Sequence, residues 1–103
     1  MTWIEVIQIR ASQNKTDLLL TTLVELIRKL REAHSDTIIN LYRQQRLRTD
    51  YCLHLIHQSN ETDPVKSGIG QILTATLREF GMVDHSVWVL EKVNQTNKNP
   101  VTQ

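Results

Sequence analysis

TWIEVIQIRASQNKTDLLLTTLVELIRKLREAHSDTIINLYR, residues 2–43, decides the fold. Thr2 to Ala11 is rich in β-branched side chains and reads as a strand. Its alternation slips at Val6-Ile7, which implies either two apolar faces or a bulge. Asn14 is placed to cap a helix running from about Lys15 to Ala33, with Asp17 near its positive dipole end. Leu19, Leu20, Leu23, Val24, Leu26, Ile27 and Leu30 share one helical stripe, and Leu18 stands off it. Glu25–Lys29 and Arg28–Glu32 are spaced as ion pairs on the opposite side. His34-Ser35-Asp36 ends the helix. Thr37 to Arg43 reads as a second strand, with Ile39 and Leu41 on one face and Ile38, Asn40 and Tyr42 on the other.

Working outward, Gln44 to Asp50 is polar and basic and turns the chain. Tyr51 to Gln58 alternates again, Tyr51, Leu53, Leu55 and His57 against Cys52, His54 and Ile56, so the two strands form a hairpin. Ser59 to Lys66, with Asp63-Pro64, is a loop. Ser67 caps a second helix to Phe80. Ile69, Ile72, Leu73, Thr76, Leu77 and Phe80 lie on one of its faces, and Gln71, Thr74 and Arg78 on the other. Gly81 is placed for a left-handed helix end, and His85 to Val93 for a last strand. Residues 94–103 read as a mobile polar tail.

The order strand–helix–strand–strand–helix–strand within residues 1–93 predicts one α+β domain, a ferredoxin-like βαββαβ two-layer sandwich. Right-handed crossovers put both helices on one face of a four-stranded antiparallel sheet, with the first and third strands central. The leucine-rich helices need Ile39, Leu41, Leu53 and Leu55 beneath them. Ile38, Tyr42, Cys52, His54, Ile56, Gln8 and Arg10 then fall on the open face, with Trp88 and Leu90 beside them. That face is apolar enough to predict a homodimer packed sheet to sheet.

Composition excludes several classes. Of 103 residues, 12 are basic and 11 acidic, so no broad electrostatic footprint for nucleic acid or an anionic membrane is expected. No apolar stretch approaches the roughly 20 residues of a membrane span. Glu5 interrupts the first apolar run and no basic segment precedes it, so no signal peptide is read and a cytoplasmic location is expected. The glycosylation patterns at Asn14, Asn60 and Asn94 are then chance matches. Cys52 is the lone cysteine and reads as an inert buried thiol.

The opening apolar strand, long amphipathic helix, hairpin, second helix and closing strand resemble the dimeric α/β-barrel superfamily, in particular the antibiotic-biosynthesis-monooxygenase-like group. The resemblance covers about Thr2 to Val93. It implies a homodimer with a ligand cleft between sheet and helices in each protomer. It also implies chemistry such as cofactor-free oxygenation of polycyclic phenols, haem degradation or lactone isomerisation. Haem degradation in that group uses a first-strand asparagine and a second-helix histidine. Here the first strand offers Glu5 and Gln8, and residues 67–80 hold no histidine. The group's tryptophan, serine and glutamate-alanine lead into the second helix is replaced by HQSNETDPVKSGIGQ.

On the predicted open face His54 is the candidate general base, since imidazole titrates near neutrality. Tyr42 would orient a phenol or enol, Gln8 and Asn40 would line the patch, and Trp88 would stack on a planar ring. The expected ligand is a small apolar or aromatic molecule, turned over by oxygenation or isomerisation. The alternative is a non-enzymatic ligand-sensing or assembly module, with the same groups as satisfied interface polar residues. No cofactor and no metal are expected. His34, His57 and His85 fall near element ends, while His54 and His57 point to opposite sides of one strand. Ser67-Gly68-Ile69-Gly70 reads as a helix cap, lacking the further glycine of a nucleotide fingerprint. Arg43, Arg46 and Arg48 make the hairpin basic, but the third strand lacks the aromatics of the RNA-binding module that shares this fold.

Overall fold

Four strands and two helices alternate along the chain in a computed structural model that describes residues 2–58 and 66–93. The expected loop at 59–65 and tail at 94–103 lie outside the described residues. Strand β1 is Thr2–Ala11, helix α1 Thr16–Ala33, β2 Thr37–Arg43, β3 Asp50–Gln58, α2 Gly68–Leu77 and β4 Gly81–Val89. A short 3-10 turn, Gln13–Lys15, leads into α1. The sheet order is β2-β3-β1-β4 and every pairing is antiparallel. This is the ferredoxin-like α+β arrangement, with β1 and β3 central as expected.

No bulge interrupts β1. Its register with β3 runs unbroken from Thr2 opposite Gln58 to Arg10 opposite Asp50. Val6 faces the open side and Ile7 is fully buried, so the slipped alternation reflects two apolar faces. The core lies between sheet and helices. Ile7 and Ile9 of β1, Ile39 of β2, and Leu53 and Leu55 of β3 meet Leu19, Leu23, Ile27 and Leu30 of α1 and Ile69, Leu73 and Leu77 of α2. Each such side chain contributes about 1.5–3 kcal/mol through burial.

Four expectations need correction. Asn14 does not cap α1; its N-cap position is Lys15, with no side-chain cap, because residues 13–15 wind first into the 3-10 turn. The α1 stripe is narrower than its leucines suggest. Leu20 and Val24 are exposed, because one line of side chains per turn reaches a flat sheet. Arg28 is bonded to Glu25 and Glu32, so it is Arg28 rather than Lys29 that takes Glu25.

The fourth correction has the largest consequence. The last strand starts at Gly81 rather than His85, and ends at Val89. Gly81 is not a left-handed cap; it pairs with Ala11 as the first residue of β4. A Cβ there would collide with the Arg10 carbonyl, so only glycine brings β4 against β1 at this point. The longer strand adds Val83 to His85 and Val87 on the helix side, opposite Ile9, Ile7 and Glu5.

Candidate functional site

Among the described residues, Glu5 is the one carboxylate the fold buries completely. Strand parity puts it there: it shares the helix-facing side of β1 with Trp3 and Ile7. A buried charge is costly unless bonded, and the fold supplies four donors. Oε1 accepts from His85 Nε2 at 2.8 Å and from the Ser67 backbone N–H at 3.0 Å. Oε2 accepts from His57 Nε2 at 2.6 Å and from the Ser67 hydroxyl. These donors come from β4, β3 and the start of α2, so the carboxylate ties three elements to β1. Burial pushes the Glu5 carboxyl upward; the Ser67 hydroxyl and N–H, then His85 and His57, more than offset it, and the group sits below its ordinary 4.5.

Ser67 is the N-cap of α2, and its Oγ accepts the Gly70 N–H at 3.0 Å. The helix start therefore does hold an anion, and that anion is the chain's own Glu5. Gly70 lets it approach: a Cβ there would overlap the carboxylate. The expected cap at Ser67 is present, and of its glycines Gly70 serves a close approach by Glu5, while a Cβ at Gly68 would meet open space.

An ionised carboxylate can only accept, so both imidazoles carry a proton on Nε2. The other nitrogens face hydroxyls. His85 Nδ1 lies 3.1 Å from Thr74 Oγ1, and His57 Nδ1 lies 3.4 Å from Thr37 Oγ1. The Trp3 ring stacks on His57 with centroids 4.1 Å apart. Two carboxylate–imidazole–hydroxyl relays thus leave one glutamate. That at His85 is tight and buried. That at His57 is looser, because 3.4 Å is at the long end of hydrogen bonding and Thr37 is half-buried at the start of β2. Among the described residues no three His, Cys, Asp or Glu side chains form a metal-holding group; Glu5, His57 and His85 bond one another instead.

All five residues singled out in the sequence lie on the other side of the sheet. Tyr42 and His54 meet, ring centroids 4.8 Å apart at 54°. Asn40 stands directly opposite His54, while Tyr42 and Gln8 flank Cys52 from either side. Those four form one patch. Trp88 is apart from it on edge strand β4, opposite Ile4, with its Nε1 donating to Ser86 Oγ at 2.8 Å. Burial raises the Cys52 thiol above its usual value, which makes it less reactive.

Sequence reasoning passed over Glu5, His57, His85, Ser67, Thr74 and Thr37 as a group. One signal was present: Glu5 has the parity of buried Ile7, and His57 that of buried Leu53 and Leu55. The sequence puts Thr74 with Gln71 and Arg78, on the face of α2 opposite Ile69 and Leu73. Thr74 is buried, because α2 turns it and Gly70 toward β4.

No protein-family model matches the chain, and a search of curated proteins finds no match. Solved structures do match. A crystal structure of antibiotic biosynthesis monooxygenase aligns at TM-score 0.61 and 14% identity, over 91% of this chain and 100% of that one. Rv0793 from Mycobacterium tuberculosis aligns at TM-score 0.64 and 15% identity, over 94% of this chain and 100% of that one. The chain shares their fold over nearly its whole length. No helix among the described residues is long and apolar enough to cross a membrane.

Proposed function

We propose that this protein is a small dimeric α/β-barrel enzyme that moves a proton on a small planar metabolite, in a cofactor-free oxygenation or an isomerisation. The observation that carries the reading is His57. Its Nε2 is held 2.6 Å from ionised Glu5, and its Nδ1 makes only the long contact with Thr37. Nδ1 is the nitrogen free to take a proton. Glu5 fixes the tautomer and stabilises the imidazolium that forms, the part played by the carboxylate of a catalytic triad. A phenol or enolisable substrate would lose its proton to Nδ1. The anion would then regain a proton at another carbon, or react with dioxygen. The fold shared with an antibiotic biosynthesis monooxygenase agrees with this chemistry. The open faces of two copies, with Ile38 and Tyr42 each about half exposed, would pack together and leave the Glu5 side in each protomer independent.

A second reading puts the chemistry at His54 and Tyr42, with Gln8, Asn40 and Trp88 around the ligand. Their ring contact supports it, and a partner's sheet would have to close that site. A third is a ligand-sensing or assembly module, supported by the full satisfaction of buried side-chain polar atoms among the described residues. One experiment separates them: oxygen uptake and isomerisation across a panel of quinols, phenols and unsaturated lactones. The first reading expects turnover lost in His57→Ala, kept in His54→Ala, and reduced in Thr37→Val with a shifted pH profile. Turnover lost in His54→Ala alone moves the chemistry to the open face. Binding without turnover of any substrate overturns the enzyme reading.

A further inference from the structure

The end of the sheet opposite Glu5 carries two adjoining clefts. One, of about 580 Å³, lies between the 3-10 turn and the β2–β3 loop; Gln13, Arg46, Arg48 and Thr49 line it. The other, of about 350 Å³, is lined by Leu20, Leu41, Tyr51, Arg43 and Arg48. Thr16, Asp17 and Arg48 are common to both.

Among the described residues four arginines make no side-chain ion pair or hydrogen bond, and three of them stand together there; the fourth, Arg78, stands past the end of α2. Arg10 is paired with Asp50, Arg28 with Glu25 and Glu32, and Arg31 with the Ile39 carbonyl. Arg43, Arg46 and Arg48 have no ion-pair partner among the described residues, although they stand on or beside one short loop. Asp17 is the one carboxylate facing the three. Asp50, at the end of the same loop, is committed to Arg10 through two oxygens at 3.0 and 2.9 Å. Three like charges against one carboxylate leave a net positive rim, which favours an anion. Planar guanidinium groups recognise carboxylate and phosphate in bidentate fashion. Beside them Leu20 is 39% exposed, next to half-buried Leu41 and the wall of Tyr51, an apolar floor in contact with water.

We propose that these clefts bind a small organic anion, its carboxylate or phosphate between Arg43 and Arg48 and its apolar body on Leu20, Leu41 and Tyr51. The size of the clefts suits a ligand of a few tens of atoms at most. The pairing of a cationic rim with an apolar floor favours an amphiphilic small molecule over a nucleic-acid strand, which needs exposed aromatics to stack its bases. The site is independent of the Glu5 chemistry and lies at the other end of the sheet.

Backbone amide shifts on the intact chain test it, with octanoate, phenyl phosphate, inorganic phosphate and an oligouridylate as probes. Saturable shifts at Leu20, Leu41, Arg43 and Arg48 are expected with octanoate or phenyl phosphate, and the preferred one identifies the acid group. Binding should weaken at least about tenfold in Arg48→Ala, because a charge-assisted hydrogen bond is lost. It should be unchanged in Lys29→Ala on the outer face of α1. Inorganic phosphate should bind at least about tenfold more weakly than the organic anion, lacking the apolar body. The proposal is overturned if neither organic anion shifts these amides, or if Arg43→Ala and Arg48→Ala both bind as the native chain does. It is also overturned if inorganic phosphate binds equally well, or if only the oligouridylate binds, with a steep salt dependence.

Discussion

Replacing Glu5 by glutamine is a sharp probe of the buried site, since it keeps shape and removes charge. The carboxylate accepts four hydrogen bonds, two on each oxygen. The amide oxygen of glutamine retains two of them. Its NH2 group meets two groups that donate in the native chain, so two bonds to a charged acceptor are lost. Each bond lost was made to a charged acceptor in a dry site and is worth about 1.5–3 kcal/mol, so the variant loses about 3–6 kcal/mol. A domain of this size has about 5–15 kcal/mol in all. Its melting temperature should fall by at least about 12 °C, at about 4–8 °C per kcal/mol. The pH dependence adds a second check. Glu5 titrates below its ordinary 4.5 when folded, so its stabilisation is complete above that pH. It is lost as the pH falls through the lowered value. Thermal and urea unfolding of native and Glu5→Gln chains should therefore differ most above about pH 5, and converge as the pH falls through the lowered Glu5 value. A variant within about 1 kcal/mol of native at neutral pH would refute the reasoning, as would a gap that does not narrow on acidification.

Two further expectations concern packing. The native chain should sediment at twice its 12.0 kDa, and Ile38→Glu on the open face should sediment as a single copy while keeping its helical circular dichroism. A native chain that sediments as one copy rules out the sheet-to-sheet pair. Gly70→Ala would ordinarily help a helix; here its methyl overlaps the Glu5 carboxylate, so it should destabilise by about 1–3 kcal/mol in denaturant unfolding. Unchanged or raised stability would mean that α2 stands further from β1 than described.

Legibility of the site followed the range of the forces involved. The five open-face residues were found because strand alternation is local, and four of them do gather in one patch. The Glu5 network was missed because its members are scattered. Glu5 and His57 are 52 positions apart, and Glu5 and His85 are 80. The parity that put Trp88 on the open face already turned His85 toward the helices, but its partners Glu5 and Thr74 are set by tertiary packing. Read as a helix cap, Gly81 left Met82–Asp84 outside the strand, although Val83 was already inward.

Residue type and spacing by themselves determined the element order, the central position of β1 and β3, the Ser67 cap and the two apolar faces of the sheet. Those properties arise from side chains a few residues apart, which propensity and periodicity record directly. Tertiary structure alone decided what Glu5 is for. Its parity marks it as buried, but only the approach of α2, β3 and β4 supplies the donors that keep it charged. Contacts between distant segments depend on crossover geometry and on close approaches such as those at Gly70 and Gly81, and no local pattern along the chain encodes them.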